Sequence, residues 1–272
     1  MTRILGVDFS GASDAGRKIW IAEGRADKKG ALVLQSCVRA AELPGGGKSP
    51  QEAIPALVRH IAGLGRNPGA EARVGCDFPF SLPRDLIAAR TWRQFALGYA
   101  SEHVDADSFR AIMRVRPGIE ALKRDTDRLA RTPFNAHNLR LYRQTWWGIA
   151  GVLGPLVRTG QAIVHPQQAL RSGKPVLIEI CPASTLKSIS LYPSYKGKGA
   201  QLRKARQRIL DALIDRGVLA APEKTLRALL LDNEGGDALD AVIGAIATAR
   251  ADLDAKPDAF QRLEGRVYYE IG

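Results

Sequence analysis

Apolar runs that stop on an acid constrain this chain more than any other feature. Ile4-Leu5-Gly6-Val7-Asp8 reads as a short buried strand closing on a carboxylate, and Phe9-Ser10-Gly11 follows as a turn. An unpaired charge is costly to remove from water, so an acid at a buried strand end calls for a partner. The pattern recurs. Arg73-Val74-Gly75-Cys76-Asp77 is a second strand closing on an acid, and Val176 to Ile180 carries Glu179 just before Cys181-Pro182. Gly235-Gly236-Asp237-Ala238-Leu239-Asp240 opens an apolar helix with acids three apart, a spacing that puts both on one side. Folding is therefore expected to gather these carboxylates into one acidic site.

The order of elements gives the frame. Strands are expected at 3–8, 18–23 and 31–36, forming an antiparallel meander with a polar turn at Asp27 to Gly30. Ile54, Leu57, Val58 and Ile61 have helical spacing within 50–63, and 72–77 returns to strand. A helix between the third and fourth strands lets the fourth run parallel to the first. Residues 84–160 change texture: they are arginine-rich and carry no clear strand pattern. They read as a helical insertion within a single domain of residues 1–272. Strands return at 162–165 and 175–180, with helices at 202–216, 222–231 and 237–251 and a short edge strand at 266–271. The class is α/β: a mixed five-stranded sheet flanked by helices.

Composition bears on partners. The net charge of +12 over 272 residues suits a polyanion, nucleic acid first. Cys37, Cys76 and Cys181 form no CxxC pair and fit buried thiols in a reducing compartment. No apolar run is long enough to cross a bilayer, and no leader precedes the first strand. A cytoplasmic protein without membrane contact is expected. His60, His103, His137 and His165 have no paired spacing, which argues against a histidine metal site; His137 stands out as a substrate contact in the insertion.

Gly6-Val7-Asp8-Phe9-Ser10, Cys76-Asp77-Phe78-Pro79-Phe80, Arg124-Asp125-Thr126-Asp127, Glu179-Ile180-Cys181-Pro182-Ala183 and Asp237-Ala238-Leu239-Asp240-Ala241 together resemble domain of unknown function 429. That family is described as predicted nucleases of the ribonuclease H fold, and the resemblance runs from about residue 3 to residue 250. It implies a ribonuclease H-like core and a carboxylate site for Mg2+ or Mn2+. Such sites hold two ions about 3.5–4 Å apart, and carboxylates suit these hard cations. On this reading Asp8, Asp77, Asp237 and Asp240 bind metal, and Glu179 completes the catalytic set.

Each acid also fits a plainer role. Asp237 suits a helix N-terminus through the dipole, Asp8 and Asp77 suit Asx turns, and Glu179 suits a buried arginine. Substrate contacts are expected from Ser10, Arg124, Arg128, Arg140, Lys196 and Lys198, with Tyr142, Trp146 and Trp147 beside the arginines. The favoured reading is a metal-dependent phosphodiester hydrolase. The alternatives are an actin-like or sugar-kinase-type phosphotransferase or ATPase, for which Asp8-Phe9-Ser10-Gly11 would hold phosphate, and a non-catalytic nucleic-acid-binding protein.

Overall fold

The computed structural model describes residues 2–66, 71–136, 138 and 140–272. His137 therefore lies outside the described residues. The chain begins with β1 (Arg3–Asp8), a helical turn α1 (Ala15–Lys18), β2 (Trp20–Ala26) and β3 (Leu32–Arg39). Then come α2 (Pro50–Gly63) and β4 (Ala72–Cys76). Helices follow: α3 (Trp92–Glu102), α4 (Ala106–Val115), α5 (Asp125–Ala130), α6 (Tyr142–Trp146), a π-helical stretch (Trp147–Leu153) and α7 (Gly154–Thr159). The remainder is β5 (Ile163–Val164), β6 (Val176–Ile180), α8 (Pro182–Ser188), α9 (Ala200–Asp215), α10 (Lys224–Asp232), α11 (Asp237–Arg250), α12 (Ala259–Glu264) and β7 (Val267–Tyr268).

Among the described residues the sheet has seven strands rather than the expected five, in the order β3-β2-β1-β4-β6-β5, with β7 also on β6. The two additions are two-residue strands. β5 pairs Val176 and Leu177, and β7 pairs Glu179 and Ile180, so the two share the outer edge of β6 end to end. They fall within the stretches 162–165 and 266–271 expected as strands, of which only two residues each are paired. The hairpins β1–β2 and β2–β3 are antiparallel, while β1–β4 and β4–β6 are parallel. Only β2 opposes the rest, so β1, β4 and β6 deliver their carboxyl ends to the same rim.

Apolar layers cover both faces. Leu5, Val7, Val74 and Leu177 join Ile54 and Leu57 of α2, Phe95 and Tyr99 of α3, and Ile149 and Leu156 in one cluster. Ile4, Ile178 and Ile180 join Ile209 and Leu213 of α9 and Leu239, Val242 and Ile246 of α11 in the other. The segment 84–160 is helical wherever it has regular structure among the described residues, and most of its buried apolar side chains belong to the first cluster, with Ala130 and Phe134 in a small one beside Cys181 and Val267. Among the described residues no helix is long and apolar enough to cross a membrane. All three cysteines are free and buried.

Two glycines set how closely α11 lies on the sheet. A Cβ on Gly6 would fall inside the backbone of Ala241 and Ala245, and one on Gly75 would overlap Thr248 Oγ1. With hydrogen in those places, α11 packs directly against β1 and β4. Gly236 caps the helix in the left-handed region (φ 79°), which glycine enters without a Cβ clash.

Candidate active site

Strand alternation decides which acids meet. Ile4, Gly6 and Asp8 share one face of β1, and Gly6 places that face under α11. Val7 pairs with Cys76, and Asp77 N–H donates to Val7 O at 2.9 Å, so the two strand-end acids emerge side by side. Asp77 has the parity of Gly75 and also faces α11. Asp237 and Asp240 enter from the first turn of that helix. Together the four acids line a cavity of about 300 Å3, with Ser10, Lys18, Gln144, Tyr192, Tyr195 and Lys196 around them.

Glu179 takes the other parity. It pairs in register with Cys76, not with Gly75, and so leaves the sheet on the opposite face. There it meets Arg124, which has no exposed surface. Arg124 donates to Glu179 at 2.5 and 2.8 Å and to Asp127 at 2.7 and 2.8 Å. Phe80 N–H completes the Glu179 contacts at 2.9 Å. This buried network ties α5 to β6, and neither Glu179 nor Arg124 lines the cavity.

Asp8 and Asp77 form the tightest electrostatic problem. Burial, then the charges of Asp240 and Asp77, hold the Asp8 carboxyl well above the usual carboxylate range. Burial, then Asp240, pushes Asp77 up to about 8, although the Asp8 carboxyl lies within hydrogen-bonding reach. Asp77 Oδ1 is sealed from solvent and has no partner among the described residues. Burial also raises Asp237. The Asp77 main-chain oxygen accepts from Gln144 Nε2 of α6, which closes the cavity on the insertion side.

Asp240 is in a different state. Its Oδ1 accepts from Tyr195 Oη at 2.5 Å, and its Oδ2 lies 2.6 Å from Lys196 Nζ. Burial works against the charge of that ammonium, but Asp240 and Asp8 outweigh it and raise the Lys196 pKa. Tyr195 and Lys196 reach the site from the loop before α9. Arg206, buried on α9, holds that loop by donating to Tyr195 O at 2.6 Å and Gly197 O at 3.2 Å. It also donates to Leu231 O of α10 at 2.8 Å.

Of the expected substrate contacts, Ser10 and Lys196 line the cavity. Arg128 lies on the surface against Asp125 at 3.0 Å, and Arg140 is exposed. Lys198 stands 4.0 Å from Glu234 with most of its side chain in solvent. Tyr195, Tyr192 and Gln144 are cavity residues that sequence reasoning did not assign.

The site fits a hard divalent cation in kind: it offers carboxylate oxygens, excess negative charge and one buried oxygen without a partner. Among the described residues no three Asp, Glu, His or Cys side chains form a group ready to hold an ion. Among the cavity acids, Asp240 is engaged by Tyr195 and Lys196, while Asp8, Asp77 and Asp237 keep carboxylate oxygens free of ion pairs among the described residues.

A family model described as "Protein of unknown function (DUF429)" matches residues 6–261. No curated protein and no solved structure matches the chain.

Proposed function

We propose, from the premise that the chain belongs to the DUF429 family, that it is a divalent-metal-dependent hydrolase of nucleic acid phosphodiesters on a ribonuclease H-like core. One observation carries this reading: Asp8 and Asp77 converge from adjacent parallel strand ends, both with raised pKa values, beside an unpartnered buried oxygen. A fold keeps like charges together at a cost in stability, and such clusters mark functional sites. The strand order, with β2 alone reversed, supports the ribonuclease H-like core.

Asp8 and Asp77 would hold the ion, with Asp237 near it across the cavity. A bound Mg2+ or Mn2+ would activate water and neutralise charge on the phosphate. The chain's own residues do the rest. The rim, with Ser10 and the exposed ring of Tyr192, receives the backbone and offers a stacking surface. The surplus positive charge draws the polyanion in. Hydrolysis adds water at phosphorus and breaks one P–O ester bond, leaving a phosphomonoester and a free hydroxyl. A cavity of about 300 Å3 admits a phosphodiester with its nearest groups, so single-stranded or frayed substrate suits it better than intact duplex.

The test is incubation with labelled single-stranded, duplex and branched DNA and RNA in Mn2+ or Mg2+. Cleavage lost in both Asp8→Asn and Asp77→Asn is expected. No cleavage of any substrate, together with no ion binding, overturns the reading. A melting temperature raised by ATP with Mg2+ would turn it towards phosphotransfer.

A further inference from the structure

We propose that Lys196 is a built-in cation of this site, so that the protein works with one divalent ion at Asp8 and Asp77 and not with a pair. The inference rests on the hydrolase reading and specifies its metal requirement.

Both oxygens of Asp240 are already engaged. Tyr195 Oη donates to Oδ1 at 2.5 Å, and the Lys196 ammonium sits 2.6 Å from Oδ2. A second ion held by Asp240 would share its oxygens with both and sit against the Lys196 ammonium, whose charge repels it. The carrier loop resists displacement of that ammonium. Gly197 N–H donates to Glu234 O at 2.6 Å, tying the loop to the turn just before α11. Among the described residues Arg206 has no carboxylate within bonding distance; its guanidinium is spent on the carbonyls of Tyr195, Gly197 and Leu231. Gly197 and Gly199 adopt φ values of 123° and 106°, conformations open to glycine, which let the chain turn sharply on either side of Lys198. The loop is thus fastened to α9, to α10 and to the start of α11, and it delivers one positive charge to the acidic helix end.

The remaining ligands agree. Without Asp240, the site offers Asp8 and Asp77 as an adjacent pair with Asp237 across the cavity, and no group of three candidate ligands is closed around one point among the described residues. The Lys196 side chain is about half exposed while its Nζ lies on a buried carboxylate, so the ammonium stands at the cavity mouth. There it can face an arriving phosphodiester beside the Asp8–Asp77 pair, whose charge it already offsets. A fixed ammonium in that position stabilises charge developing on phosphate oxygens, the role a second metal ion would otherwise fill.

The experiment counts Mn2+ ions bound per chain by isothermal titration and electron paramagnetic resonance, in wild type, Lys196→Met and Lys196→Arg. One ion is expected in wild type. Lys196→Met should bind a second ion or bind the first at least tenfold more tightly, and Mn2+ should raise its melting temperature more than that of wild type. Its cleavage rate should fall roughly 10²-fold, with partial recovery in Lys196→Arg. Two ions in wild type, with Lys196→Met unchanged, would overturn this inference and leave the hydrolase reading standing. No ion in wild type would overturn both. Should Lys196→Met fail to fold, the wild-type count alone decides.

Discussion

At the residue scale, the Asp8–Asp77 pair should make the metal-free protein less stable. Asp77 titrates near 3.8 when unperturbed and near 8 in the fold, so the folded protein keeps a proton that the unfolded chain has released. The stability this group contributes is full below about pH 4 and is lost as pH rises through about 8. Denaturant midpoints measured from pH 5 to pH 8 should therefore fall, and the fall should be shallower in Asp77→Asn. The same substitution should stabilise the metal-free protein at pH 7.5 by ~1–2 kcal/mol, because the two coupled carboxyls divide the cost between them. A fall in stability on Asp77→Asn would contradict the electrostatic account. Arg124 presents the reverse case: Arg124→Ala would leave Glu179 and Asp127 buried without their cation. It should cost ~3–5 kcal/mol, read by chemical denaturation.

At the element scale, the site exists because α11 lies directly on β1 and β4. Gly6→Ala should force the helix away from the sheet and cost ~2–3 kcal/mol, with a larger proportional loss of Mn2+ affinity than of secondary structure by circular dichroism. This scale was also the most legible in the sequence. The strand-end acids, α2, α11 and the parallel β4 follow from apolar periodicity and from the helix between β3 and β4. Local pattern does not report partners distant along the chain. Separations of 55 positions between Arg124 and Glu179 and of 45 between Tyr195 and Asp240 hide both pairings. The direction of Glu179 was accessible in principle, since its parity follows once β4 and β6 are set in register, but that register is itself a tertiary fact. The edge strands at 162–165 and 266–271 were legible as strands but not in length, since only two residues of each, β5 and β7, pair with β6.

At the scale of the whole molecule, the protein is a basic body carrying an acidic cavity at the strand ends. Affinity for single-stranded nucleic acid, measured by fluorescence anisotropy, should fall steeply between 50 and 200 mM salt. Asp8→Asn should leave that slope unchanged, because the surface cations and not the cavity would make the phosphate contacts. A flat salt dependence would remove nucleic acid as the partner. The central claim is narrower: folding brings Asp8 and Asp77 together to share a cation. Calorimetric titration of Mn2+ into wild type and Asp8→Asn tests it most directly. Saturable binding in wild type, weakened by roughly 10²-fold in Asp8→Asn, is predicted. Equal binding by the two proteins, or none by wild type, would contradict it.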